Sequence, residues 1–186
     1  VSGVQVRYRR ADVVDRAIAV LDEHGLDALS MRKLAADLGV QPSALYHHFA
    51  NKDALLAAVA DELLARGRRA TEVVTWEAEL RLACVELRDA MLACRDGAAL
   101  VALVHALGIG AQEPLGRMYD ALARAGADEH LARIGARTLV HFVFGHVADE
   151  QLQRQARGDA SASAEGGDFH LGLSLVLDGL RQRLGD

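Results

Sequence analysis

Apolar residues recur along this chain with the period of an α-helix. Val14, Ala17, Ile18 and Leu21 fall at i, i+3, i+4 and i+7, the spacing that lines one face of a helix. Gly25, just beyond them, suits a C′ stop. Ser30 offers an N-cap oxygen to a second helix; Met31, Leu34, Ala35 and Leu38 form its inner face and Gly39 ends it. A third helix opens with Gln41 as cap and Pro42 at N1, where the missing N–H does no harm, and Leu45 and Phe49 anchor it inward. Asn51 caps a fourth, expected from Lys52 to Arg69. Beyond Thr71 the spacing predicts helices over Trp76 to Cys94, a shorter one after Gly97, Gln112 to Arg124, and Asp128 to about Gln155. The small, polar stretch Arg157 to Asp168 reads as a mobile loop, and a last helix is expected over Phe169 to Leu184. Alternation of β-branched residues is absent, so strands have little support.

The expected fold is therefore all-α, with a small N-terminal bundle over residues 1–51, a connecting helix over 52–70 and a larger helical domain over 71–186. The composition agrees: of 186 residues, 51% are hydrophobic and 25% charged, enough to bury a core and to exclude global disorder. No apolar run approaches the ~20 residues of a bilayer span, and no apolar stretch follows the basic N-terminus as a signal peptide would. A soluble, cytoplasmic protein with no membrane association is expected. Cys84 and Cys94 lie on one predicted helix, roughly 15 Å apart by rise, too far for a bridge. No metal site and no cofactor are indicated.

Charge is uneven. The net value is −5 overall, yet seven basic and six acidic residues up to Lys52 leave that segment at +1. A mildly positive head on an acidic body suits contact with a polyanion at one end.

Only Gly39-Val40-Gln41 separates the second and third helices, and a helix, a tight Gly-containing turn and a second short helix make a helix-turn-helix. Such a unit lays its second helix in the major groove of double-stranded DNA. With Leu45 and Phe49 inward, that helix exposes Gln41, Pro42, Ser43, Ala44, Tyr46, His47 and His48. Arg32 and Lys33 open the preceding helix and Lys52 the following one, bringing cations toward phosphates. The blocks Ser30-Met31-Arg32-Lys33-Leu34-Ala35, Leu38-Gly39-Val40, Ala44-Leu45-Tyr46-His47-His48-Phe49 and Asn51-Lys52-Asp53-Ala54-Leu55-Leu56, in this order and spacing, resemble the TetR family of bacterial transcriptional repressors. Arg95-Asp96-Gly97-Ala98, His141-Phe142 with Gly145, and Glu150-Gln151 resemble the ligand-binding and dimerising body of its tetracycline-repressor branch.

That resemblance implies a homodimeric repressor, released from a palindromic operator by a small-molecule effector. It puts Arg32, Gln41, Pro42, Ser43, Ala44, Tyr46, His47, His48 and Lys52 at operator DNA. It also puts the branch's magnesium-binding His on Val101, a neighbouring Thr on Val104, a pocket Asn on Ala83 and a pocket Phe on Leu87. Valine offers no donor to a hard cation, so a largely apolar effector without metal is expected, in a pocket also holding His105, Met118, His141 and Phe142.

The last two helices carry apolar residues on more than one side. Leu139, Val143 and Val147, with Leu173, Val176, Leu177 and Leu180, are expected at a dimeric four-helix interface; the alternative is that they are covered within one chain. Two other classes stay open: an enzyme using His105, His141 and His146, which has no nucleophile–base pair in support, and a helical interaction module that does not bind DNA.

Overall fold

Short polar side chains set the helix starts. The Ser30 hydroxyl accepts from the Lys33 amide at 3.2 Å, Asn51 Oδ1 from the Ala54 amide at 2.8 Å and Thr75 Oγ1 from the Ala78 amide at 3.2 Å, each satisfying a donor that the first turn leaves open. The structure is a computed structural model and describes residues 8–157 and 162–185. Its elements are α1 (Arg10–His24), α2 (Met31–Leu38), α3 (Pro42–Tyr46), α4 (Lys52–Gly67), α5 (Trp76–Leu92), α6 (Gly97–Ala106), α7 (Glu113–Arg124), α8 (Glu129–Arg157) and α9 (Ala162–Leu184). No strand occurs among the described residues, and the fold is all-α. None of their helices is long and apolar enough to cross a membrane.

The expected loop from Arg157 to Asp168 is corrected in part. Residues 158–161 lie outside the described residues, and from Ala162 the backbone is already helical, ahead of the expected start at Phe169. Lengthening an existing helix adds a hydrogen bond per residue with no new nucleation cost, and Ala162, Ala164 and Glu165 are good helix formers. Gly166 and Gly167 concealed that from a reading by composition.

In the head, α1, α2 and α3 enclose Val13, Ala17, Leu21, Leu34, Leu45 and Phe49, all buried. The Arg10 guanidinium covers the Phe49 ring at 4.8 Å. α4 packs on α1 and also on α5 and α6, so one helix belongs to the head and the body alike.

In the body, α8 runs through the centre with α5, α6, α7 and α9 around it. This placement corrects the expected interface. Leu139, Val143, Val147 and Leu173 have no exposed surface, Leu177 has 1% and Leu180 8%, while Val176 is half-buried against the same core. Their faces are apolar because four neighbouring helices of the same chain cover α8. On these two helices the apolar surface left to solvent lies elsewhere: Ile134 and Leu152 on α8 and Leu171 and Leu175 on α9. Beside them, a side chain added at Gly145 or Gly179 would meet nothing within 4 Å.

Candidate nucleic-acid interface and effector cavity

α2 ends on Gly39 in the left-handed conformation (φ 66°, ψ 31°), its amide bonding back to Ala36 O at 3.1 Å while Val40 N reaches Ala35 O at 3.0 Å. This double closure turns the chain within two residues, and the glycine avoids the steric cost of a positive φ. Pro42 follows at the start of α3. The turn fixes how α3 projects: Leu45 and Phe49 sink into the head, and Gln41, Ser43, Tyr46 and His47 face solvent. Tyr46 is 53% exposed, too much for a core aromatic in a bundle this small. Pro42, Ala44 and His48 are half-buried on the same helix and its cap.

The cations around α3 differ in availability. Arg32 and Lys52 are exposed and make no ion pair among the described residues. Lys33 instead donates to Asp37 Oδ1 at 3.0 Å, and Arg16 reaches the other oxygen at 3.2 Å. The Lys33 hydrogen bond foremost holds the Asp37 carboxyl below its usual range. Lys33 therefore braces α2, and its ammonium is committed within the chain.

Head and body are joined at the turn between α5 and α6. Asp96 adopts φ 56°; its Oδ2 accepts from the Leu26 amide at 3.0 Å and its Oδ1 from Gln155 Nε2 at 3.2 Å. Asp22 of α1 returns a bond, accepting from the Arg95 amide at 3.0 Å. Gly97 is needed here, since a Cβ would lie 2.3 Å from the Met91 carbonyl oxygen. One turn thus holds the loop after α1 and the far end of α8.

The large cavity lies between α6, α7 and α8. It is open to solvent, holds about 1000 Å³ and is lined by Ala102, His105 and Ala106 of α6, Gln112, Leu115, Gly116 and Tyr119 at α7, and Glu129, Arg133, Ala136, Arg137, His141 and Phe144 of α8, with Arg133, Arg137 and His141 exposed. His105 is fixed at both ends: Nδ1 lies 3.0 Å from the Ala111 carbonyl oxygen, and the ring meets Phe144 edge-on at 5.3 Å. A carbonyl only accepts, so Nδ1 carries a proton and donates to it. Ala111, with φ 55°, donates its amide to Asp61 Oδ1 on α4 at 2.7 Å. One residue therefore separates the cavity wall from the helix that carries the head.

Of the residues expected at an effector pocket, the cavity takes in His105 and His141. Val101, Val104 and Met118 have no exposed surface and belong to the core. Ala83 and Leu87 border a separate narrow groove with Glu86 and Arg117. Phe142 stacks on His146 at 5.7 Å and meets Phe169 at 5.5 Å. Among the described residues no three His, Cys, Asp or Glu side chains gather to hold a metal ion. Cys84 and Cys94 are buried, and burial foremost pushes their thiols up to about 12 and about 11. The sequence reading missed Arg133, Arg137, Tyr119 and Leu115 at the cavity. A signal was present: Arg137 has Arg133 four residues before it and His141 four after, with a single acid, Glu129, at the start of the same row.

Comparison with known proteins follows the same division. Residues 13–59 match the description "Bacterial regulatory proteins, tetR family", and residues 70–166 match "Tetracyclin repressor-like, C-terminal domain". The class A tetracycline repressor protein from transposon 1721 of Escherichia coli is 33% identical over 201 residues, spanning 92% of this chain and 89% of the relative. The crystal structure of Mycobacterium smegmatis BioQ superimposes with a TM-score of 0.84 at 40% identity, covering 93% of this chain and 97% of that one. A BioQ crystallised with its natural double-stranded DNA operator gives a TM-score of 0.80 at 39% identity, covering 93% and 98%.

Proposed function

The chain belongs to the tetR family of bacterial regulatory proteins, of the tetracycline-repressor-like type, and from that premise we propose a homodimeric repressor that a small molecule releases from a palindromic operator. It is a DNA-binding transcriptional regulator and not an enzyme. The observation that carries the proposal is the set of residues α3 leaves bare on a rigid head: Gln41, Ser43, Tyr46 and His47, flanked by Arg32 and Lys52. Gln41 and Arg32 suit base edges, Pro42 and Ala44 suit thymine methyls, and Tyr46, His48 and Lys52 suit phosphates.

Homodimerisation is supported by the apolar stripe that the protomer leaves uncovered, Ile134 and Leu152 with Leu171 and Leu175. The open glycines Gly145 and Gly179 let a second pair of helices approach closely. A two-fold axis through that stripe makes two copies of α3 read successive major grooves, roughly 34 Å apart, and calls for a palindromic site. In this scheme residues 1–51 read DNA, 52–70 connect, and 71–186 dimerise and bind effector in the bacterial cytoplasm.

Release follows from linkage: a ligand that favours one conformer lowers DNA affinity by the coupling free energy that DNA imposes on it. Two contacts can carry it. A ligand pressing on His105 acts through Ala111 on Asp61 and so on α4; movement of α8 acts through Gln155 and Asp96 on the loop after α1. Valine stands at positions 101 and 104, both without exposed surface, where the resemblance puts magnesium-chelate contacts. Those residues do not fit a metal, and no step runs through one.

Selection of bound duplexes from random DNA, followed by a shift assay, tests the proposal. A palindromic motif whose binding weakens steeply with salt, and falls about tenfold for Tyr46→Ala or Lys52→Ala with the dimer intact, is expected. Recovery of no motif, or unchanged affinity in both variants, refutes it.

A further inference from the structure

The cavity between α6, α7 and α8 has walls of two kinds. Leu115 of α7 with Ala136 and Phe144 of α8 give it apolar surface, while Arg133, Arg137 and His141 follow one another along α8 at i, i+4 and i+8, on an adjoining helical face. Several arginines of the body are neutralised: Arg88 meets Glu150 at 2.7 Å, Arg117 meets Glu86 at 2.5 Å and Arg124 meets Glu79 at 2.9 Å, whereas Arg81, which donates to Ser174, makes no ion pair among the described residues, nor do Arg95 and Arg183. Arg137 has no hydrogen bond or ion pair among the described residues, and Arg133 reaches only His130 Nδ1, at 3.2 Å. Glu129 also lines the cavity, yet it makes no ion pair with Arg133 among the described residues. Two like charges four residues apart repel, and Glu129, the single acid on the lining, leaves the pair with a net positive charge. An anion between the two guanidinium groups removes that repulsion and meets their forked donors.

Resting on the effector reading above, we infer that this cavity takes an amphipathic organic oxyanion, a carboxylate or sulfonate on an apolar body. The charge lies against Arg133 and Arg137 and the body against Phe144 and Leu115. His105, held by its Nδ1 bond to Ala111 and its edge contact with Phe144, presents its ring to the same cavity as a polar contact for the ligand. The volume of about 1000 Å³ suits a molecule of drug size.

Two fluorescent probes with the same body isolate the charge: 1-anilinonaphthalene-8-sulfonate and neutral N-phenyl-1-naphthylamine. Each is titrated into the full-length dimer, into Arg133→Ala/Arg137→Ala and into Gly116→Phe. Gly116 lines the cavity, and a side chain there meets nothing within 4 Å, so phenylalanine fills the space on a helix that gains propensity. The sulfonate is expected to bind with one-to-one stoichiometry and to lose about tenfold in affinity in the double variant. The neutral probe is expected to be unaffected there, and both to be excluded by Gly116→Phe, with helicity retained by circular dichroism. Equal affinity of both probes for both proteins overturns the ligand class; if both also release operator, the regulator reading survives alone. Loss of the dimer in the double variant, with sulfonate affinity unchanged, overturns it too, since the arginines then serve the second copy. Arginine-dependent sulfonate binding with no change in operator affinity upholds the ligand class and sinks the effector reading.

Discussion

Replacing Leu171 and Leu175 together by glutamate separates the face that joins two copies from the face that folds one. Both leucines lie on α9 with 64% and 68% of their surface exposed in the protomer. Full burial of a leucine contributes ~1.5–3 kcal/mol, so covering the remaining two-thirds contributes about 1–2 kcal/mol each. A two-fold axis counts every residue twice, so four leucines stabilise the dimer by about 4–8 kcal/mol. The lower end alone corresponds to a dissociation constant raised about a thousandfold, and a carboxylate at an apolar contact adds a desolvation cost. Leu173, between them in sequence, has no exposed surface; Leu173→Ala is expected to cost about 2–5 kcal/mol of folding stability and to leave the folded fraction dimeric. Sedimentation equilibrium reads association and urea unfolding reads stability. The double glutamate variant should sediment as a folded monomer that binds operator far more weakly. A wild-type dissociation constant, or a chain that unfolds, would refute the assignment of this stripe.

Further outcomes concern the joint and the buried groups. Asp96→Ala removes the acceptors for Leu26 N and Gln155 and forces alanine into φ 56°; it should cost about 2 kcal/mol in urea unfolding, and Asp96→Asn, which tolerates that conformation, about half as much. Ala111→Gly relaxes φ 55° and should stabilise the chain by about 1 kcal/mol, read as a higher urea midpoint. Cys84 and Cys94, raised from 9.0 to about 12 and about 11 by burial, should resist a thiol reagent at pH 8 until the protein unfolds. Because the folded state holds these protons more tightly, their contribution to stability is complete below pH 9. It declines as pH rises beyond that, and melting curves of Cys84→Ser/Cys94→Ser should show a shallower alkaline decline.

The helices, their caps and the helix-turn-helix were legible in the sequence because the forces that make them are local. An i, i+3, i+4 stripe, a Ser or Asn at an N-cap and a Gly at a C′ position act within one or two turns. Ser30, Asn51 and Gly39 therefore take their roles whatever surrounds them. What α3 exposes was legible in part for the same reason, since Leu45 and Phe49 fix its inner face, although Pro42, Ala44 and His48 are half-buried where the sequence reading has them exposed. Periodicity says that a face of α8 must be covered but not by what: for Leu139, Val143 and Val147 it favours a second chain and leaves cover within one chain open, and it is α5, α7 and α9 of the same chain that cover them. The cavity was still less legible: its wall draws on three helices, and whether Val101 or Arg137 borders it depends on how those helices are rotated about their axes. The order and polarity of the helices were written in neighbouring residues; which of their faces meet, and which space they leave between them, was decided by long-range packing, where many weak contacts compete and no single residue type carries the choice.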